Sequence, residues 1–204
     1  MRRISPLLLH GEGALAFAHE TAEHLLHKGE RIITIDGANA FDAGHLADAA
    51  RKRRTPAPEL LNAIRVSRAF TWQAFEALVE RDVLPEAKRT NAKWILVLGP
   101  LDLLADEAVK PFQAWRSAGR IANALRDLGD RGLGVVVAQR MSPLIEFLHR
   151  ACAHAVEVAH RDRTRVRSTG AATPSPDAGP VPAVSRPLPL PDLRQLVLPF
   201  ASRG

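Results

Sequence analysis

The chain is predicted to fold as an α/β domain, a mostly parallel sheet flanked by helices, followed by a disordered proline-rich tail. Runs such as Trp94-Ile95-Leu96-Val97-Leu98 and Gly134-Val135-Val136-Val137-Ala138 lack polar alternation, which marks strands covered on both faces. Segments with apolar residues at helical spacing lie between such runs, so strands and helices alternate. The tail stands apart in composition. Gly170 to Pro191 is dominated by Pro, Ala, Ser, Gly and Val, with prolines at 174, 176, 180, 182, 187, 189 and 191. Proline fixes φ and removes a backbone donor, so such a stretch stays extended and solvated.

Leu7 to Leu9 reads as a short buried strand ending in His10-Gly11-Glu12-Gly13, and Leu15, Ala18, Ala22, Leu25 and Leu26 mark one face of a helix between Gly13 and Lys28. Arg31 to Ile35 is a second strand, closed by Asp36-Gly37. Helices follow over Ala43 to Arg53 and over Pro58 to Ala63, the latter with prolines near its start. Ile64 to Ser67 is a brief strand, and Trp72 to Arg81 a helix capped by Thr71. After the Trp94–Leu98 strand, Phe112, Trp115, Ala118, Ala122, Leu125 and Leu128 form the expected inner stripe of a long helix. Gly134 to Ala138 is the next strand. A helix from Pro143 to His149 and strands over Ala155–His160 and Arg163–Arg167 complete a body spanning 1–168, ahead of a linker (169–193) and a terminal peptide (194–204).

Composition bounds the function. The 204 residues, less the tail, make about one ordinary domain, and 46% hydrophobic content supplies one core. No apolar run approaches the roughly 20 residues of a membrane span, so no membrane partner is expected. The apolar run after Arg2-Arg3 is too short for a signal peptide, and the single Cys152 suits a reducing cytoplasm. A net charge of +6 permits DNA contact. The basic clusters Arg51-Lys52-Arg53-Arg54 and Arg161, Arg163, Arg165, Arg167 could supply it, or could be solvated surface.

Two resemblances give these segments a functional meaning. Gln195-Leu196-Val197-Leu198-Pro199-Phe200 resembles the bacterial sliding-clamp-binding motif: Gln, Leu, a variable residue, Leu, Pro and a large apolar residue. The resemblance implies that Gln195 anchors through its amide, that Leu196, Leu198 and Phe200 are buried in the clamp, and that Pro199 pre-bends the peptide. A C-terminal strand folded back on the domain is the alternative. The body, over residues 4 to 168, resembles the ATPase core of the RecA/RadA recombinase superfamily. Ile35-Asp36-Gly37-Ala38-Asn39-Ala40-Phe41-Asp42 is similar to that family's Ile-Asp-Thr-Glu-Gly-Thr-Phe block. Arg65-Val66-Ser67-Arg68-Ala69-Phe70-Thr71 and Gly134-Val135-Val136-Val137-Ala138-Gln139 resemble two later blocks in the same order.

The departures from the family are chemical. A phosphate-binding loop needs glycines, a lysine and a magnesium-holding Ser/Thr. The resemblance puts Phe17 at the lysine and Ala18 at the threonine. It puts Ala38 at the water-activating glutamate and Gly99 at the metal-holding aspartate. Gln139 keeps a γ-phosphate-sensing identity alone. Phosphoryl transfer without these groups lacks the electrostatic terms it depends on, so no catalytic residue, cofactor or metal is expected. His19 and His24 lie about 140° apart on a helix and cannot share a metal, and His149, Cys152 and His154 straddle a helix end and a strand. Asp102, Asp106 and Glu107 read as solvated or helix-start charges in a loop where recombinases present a DNA contact.

The resemblance therefore implies a non-catalytic RecA-like accessory protein of the ImuA/SulA type, active in the bacterial DNA-damage (SOS) response and translesion synthesis. Its partners would be the sliding clamp and an error-prone polymerase or RecA-type protein. Two alternatives stand beside it: a SulA-like cell-division inhibitor, and an ATPase with an unconventional nucleotide site.

Overall fold

The structure is a computed structural model, and it describes residues 3–159. Six parallel strands form one sheet: β1 (Leu7–His10), β2 (Ile32–Asp36), β3 (Ile64–Arg68), β4 (Trp94–Leu98), β5 (Gly134–Gln139) and β6 (His154–Glu157), in the order β3-β2-β4-β5-β1-β6. The predicted α/β class and parallel sheet are what the protein has. The Arg163–Arg167 strand, the linker and the terminal peptide with Gln195, Leu196, Leu198, Pro199 and Phe200 lie outside the described residues.

Both faces of the sheet are covered. Helices α1 (Ala14–His27), α2 (Ala43–Lys52) and α3 (Ala57–Asn62) bury Phe17, Leu25, Leu46 and Leu60 against Ile32, Leu96, Leu98 and Val136. On the other face lie α4 (Trp72–Ala77), α5 (Val83–Thr90), α6 (Pro111–Asp130) and α7 (Ile145–Ala151). They bury Phe75, Ile121, Leu125 and Leu148 against Ile33, Ile35, Val97 and Val137. Each fully buried side chain of this size stabilises the fold by about 1.5–3 kcal/mol. β4 and β5 read as continuous apolar runs because successive residues point into different helical layers, neither of which is solvent; the edge strand β3 is partly exposed.

Helix Trp72–Arg81 begins where expected, with the Thr71 hydroxyl accepting the Ala74 amide at 3.2 Å, but it does not stop at Arg81. A π-turn over Leu78–Asp82 joins it to α5, so helical structure runs on to Thr90. The turn places Glu76 and Glu80 on one side, where Arg120 bridges them at 2.6 and 2.5 Å and the Ser117 hydroxyl donates to Glu76. That network ties α4 to α6.

The predicted inner stripe of α6 is corrected at two positions. Phe112 is 76% and Trp115 64% exposed; the buried side consists of Ala114, Ser117, Ala118, Ile121, Ala122, Leu125 and Leu128. At 3.6 residues per turn Phe112 lies opposite Ile121, so aromatic character misled where phase decides. Trp115 leans instead on Phe147 of α7, edge to face at 5.0 Å. The predicted helix Pro143–His149 is displaced to Ile145–Ala151.

Cys152, at the end of α7, is buried, and burial pushes its thiol up to about 12. The nucleophile is the thiolate, so native protein at pH 8 should resist iodoacetamide and label promptly once unfolded in denaturant. Mass spectrometry of both reactions checks this; rapid labelling of the native chain would contradict the buried position.

Candidate functional site

In an open parallel sheet, loops that leave adjacent strands toward opposite faces open a crevice beyond the strand carboxyl ends. Here β1 sends its chain to one face and the neighbouring β5 to the other; β2 and β4 diverge in the same way. The sequence-selected positions Phe17, Ala18, Ala38 and Gly99 fall in or beside the loops at this edge.

The turn after β1 is closed by the chain leaving β6. Gly11 donates its amide to the Gln139 carbonyl at 3.2 Å, Gly13 to Val158 at 3.0 Å and Ala14 to Gly11 at 3.2 Å, while Val158 donates back to His10 at 2.7 Å. Gly11 holds φ +104, and a Cβ there would lie 2.7 Å from the Val158 carbonyl oxygen. Its glycine thus admits a neighbouring backbone where a phosphate-binding loop admits an anion. Phe17 and Ala18, one turn further on, are buried in the helix–sheet core. Glu12 is the exposed side chain of the turn.

The turn after β2 is organised by Asp36, whose carboxylate is fully buried. Oδ1 accepts the Ala40 amide at 3.0 Å, and Oδ2 accepts the Phe41 amide at 2.9 Å and Arg68 Nε at 3.1 Å. Arg68 also donates to the Phe41 carbonyl. One carboxylate thus fixes the loop carrying Ala38 and links β2 to β3. His19 supports the loop from α1: Nδ1 donates to the Leu15 carbonyl at 2.7 Å, leaving Nε2 to accept the Asp42 amide at 3.3 Å.

After β4, Gly99 adopts φ +57, and a Cβ would sit 2.5 Å from the Ala38 Cβ and 2.9 Å from Asp102 Oδ2. Of the two readings offered for Asp102, solvated or helix-start, it takes the second: it begins a short 3-10 turn (Asp102–Ala105). The buried Gln139 amide donates to its Oδ1 at 2.7 Å, and Arg140 to its Oδ2 at 2.7 Å. Gln139 Oε1 accepts the Leu101 amide at 2.9 Å, so both ends of that side chain bind the β4 loop. Asp106 accepts the Ala108 amide in its own turn. Glu12, Asp102, Ala105, Arg140 and Met141 line an open concavity of about 500 Å³, with Arg140 held by Asp102 at its wall.

His10 and His149 meet edge to face at 4.9 Å. Burial and the neighbouring His149 lower the His10 pKa from 6.5, against an opposing pull from Glu157. Cys152 is buried beyond them and His154 exposed, and no three side chains able to hold a metal converge among the described residues.

From the sequence, His19 is considered only as a metal ligand, and Asp36 and Arg68 only within the recombinase-like blocks, so none of the three receives its structural role there. The usable signal was Asp36 itself, an acid at the end of an apolar strand before Gly-Ala-Asn. No protein-family model matches the chain, and no curated protein matches it in sequence.

Asp36→Ala should cost about 2–3 kcal/mol in urea unfolding, toward the low end for a buried pair because Arg68 is partly solvated. Equal stability of the variant would mean that the loop has another anchor. Gly99→Ala should cost about 2 kcal/mol through left-handed backbone and the Ala38 contact, read as a lowered Tm.

Proposed function

We propose that this protein is a non-catalytic RecA-like accessory factor of bacterial DNA repair and translesion synthesis, tethered to the sliding clamp by residues 195–200. One observation carries the reading: a Gln-Leu-Val-Leu-Pro-Phe peptide set behind a proline-rich segment. A peptide on an extended spacer raises the local concentration of the body it carries without a tight single contact.

The body's geometry supports the non-catalytic part. The amides of Gly11, Gly13 and Ala14 in the turn after β1 are hydrogen-bonded to backbone carbonyls, and Phe17 is packed in the core. Gln139 is spent on Leu101 and Asp102. Asp102 and Arg140 neutralise each other at the mouth of the crevice, and Glu12 leaves a negative charge there, which disfavours an entering polyphosphate. The body acts as a scaffold, holding an error-prone polymerase or a RecA-type protein in the cytoplasm while the tail holds the clamp.

The test is binding of the full chain to the bacterial sliding clamp, beside a variant with Gln195, Leu198 and Phe200 changed to Ala. Binding in the micromolar range, weakened at least about 30-fold in the variant, is expected from losing about 2 kcal/mol of anchoring contacts. An intact chain that ignores the clamp would end the tether reading. Tight nucleotide binding by the same preparation would favour the unconventional ATPase instead.

A further inference from the structure

Charge differs between the two ends of the sheet. At the carboxyl-terminal edge the exposed groups include Glu12, Asp106 and Glu107, while Arg68 and Arg140 there are held by Asp36 and Asp102. At the amino-terminal edge cations predominate, with Glu30 half-buried and Asp130, at the end of α6, beside Arg3. Ile32 pairs with Trp94 and with Ile64, so Arg31 stands opposite Lys93, and Arg65 lies just inside β3. Arg31 donates to the Thr90 carbonyl at 3.2 Å, which brings the end of α5, with Arg89, to the same rim. Lys28 caps α1 and Arg54 follows α2 there. All six are exposed.

Lysines and arginines at helix ends ordinarily offset the helix dipole, each end amounting to about half a negative charge. The ends of α1, α2 and α5 together ask for fewer than two cations. Arg89 is held by Glu86, whereas Lys28, Arg31, Arg54 and Lys93 form no ion pair among the described residues. The surplus has the form of a row: β3, β2 and β4 are adjacent, so it extends over about 10 Å of sheet edge. Duplex DNA carries one charge per about 1.7 Å of axis, so that length faces about six phosphate charges.

We propose that the amino-terminal edge of the sheet, centred on Arg31, Arg65 and Lys93, binds the phosphate backbone of duplex DNA. This deepens the repair reading above and rests on it for its setting. A membrane-surface site would need large apolar anchors beside the cations; Val66, next to Arg65, is 39% exposed, whereas the large exposed side chains Phe70, Phe112, Trp115 and Met141 lie at or beside the loops of the other edge. A single-strand site would need aromatic platforms, and Trp94, the nearest, is packed over Gly134. Backbone contact to a duplex, without base readout, is what the row fits.

The test is fluorescence anisotropy of a labelled duplex of about 20 base pairs with the full chain across a salt series. Three variants accompany it: Arg31→Ala/Arg65→Ala/Lys93→Ala; Lys28→Ala/Arg54→Gly, in case the first unfolds; and a tail variant with Arg161, Arg163, Arg165 and Arg167 changed to Ala. The triple variant should lose at least about tenfold in affinity at 50 mM salt and reduce the salt slope by about 2–3, while the tail variant keeps most binding. Unchanged binding by the rim variants, loss confined to the tail variant, or preference of the wild type for phosphatidylserine vesicles over duplex would each overturn the proposal. Clamp binding, measured without DNA, should be the same in the triple variant as in wild type, so failure of the tether and failure of this face are read separately.

Discussion

A carboxylate buried at the end of a central strand must be neutralised by fixed partners, and at Asp36 this requirement organises the edge of the molecule around it. Two loop amides and the Arg68 guanidinium converge on it, so the loop after β2 has one shape. That shape sets Ala38 against Gly99, which requires glycine and a left-handed turn after β4. The β4 turn in turn brings Asp102 under Gln139 and Arg140 from β5. A chain of short-range requirements thus passes across three strands, each step costly to break because its polar groups have little water to fall back on.

The same edge shows how backbone can close a glycine turn. A glycine turn before a helix can bind an anion only while its amides are free. In this protein the Gly13 amide goes to Val158 after β6, the Gly11 amide to Gln139 of β5 and the Ala14 amide to Gly11 within the turn. These bonds give structural order to the turn, and the polar residues left nearby, Gln139 above all, hold neighbouring loops together. The polar groups at these strand ends hold loops to one another, Asp36 after β2 and Gln139 with Asp102 after β4.

The inner strands β4 and β5 were legible because each is buried on both faces and carries an unbroken apolar run, whereas the edge strands β3 and β6 are partly exposed and mixed in sequence. Helix starts were legible where a cap is written in the sequence, as at Thr71. Phase was less so: Phe112 and Trp115 share composition with a core stripe but lie outside its arc, and only packing against α7 shows what Trp115 does. The continuation of α4 through a π-turn was hidden because its stabilising contact, Arg120 reaching Glu76 and Glu80, joins residues about forty positions apart. The role of Asp102 was hidden for the same reason, its partners lying on β5.

By itself the sequence determined the α/β class and the alternation of elements, since these depend on local pattern and residue identity. It also set the proline-rich stretch and hexapeptide, which need no fold to be recognised. Only the tertiary structure decided which polar groups meet: that β6 closes the turn after β1, that Asp36 holds the next loop, and that scattered cations gather on one sheet edge. Strand order sets these, and order depends on which distant segments pack together, information that no short stretch of chain contains.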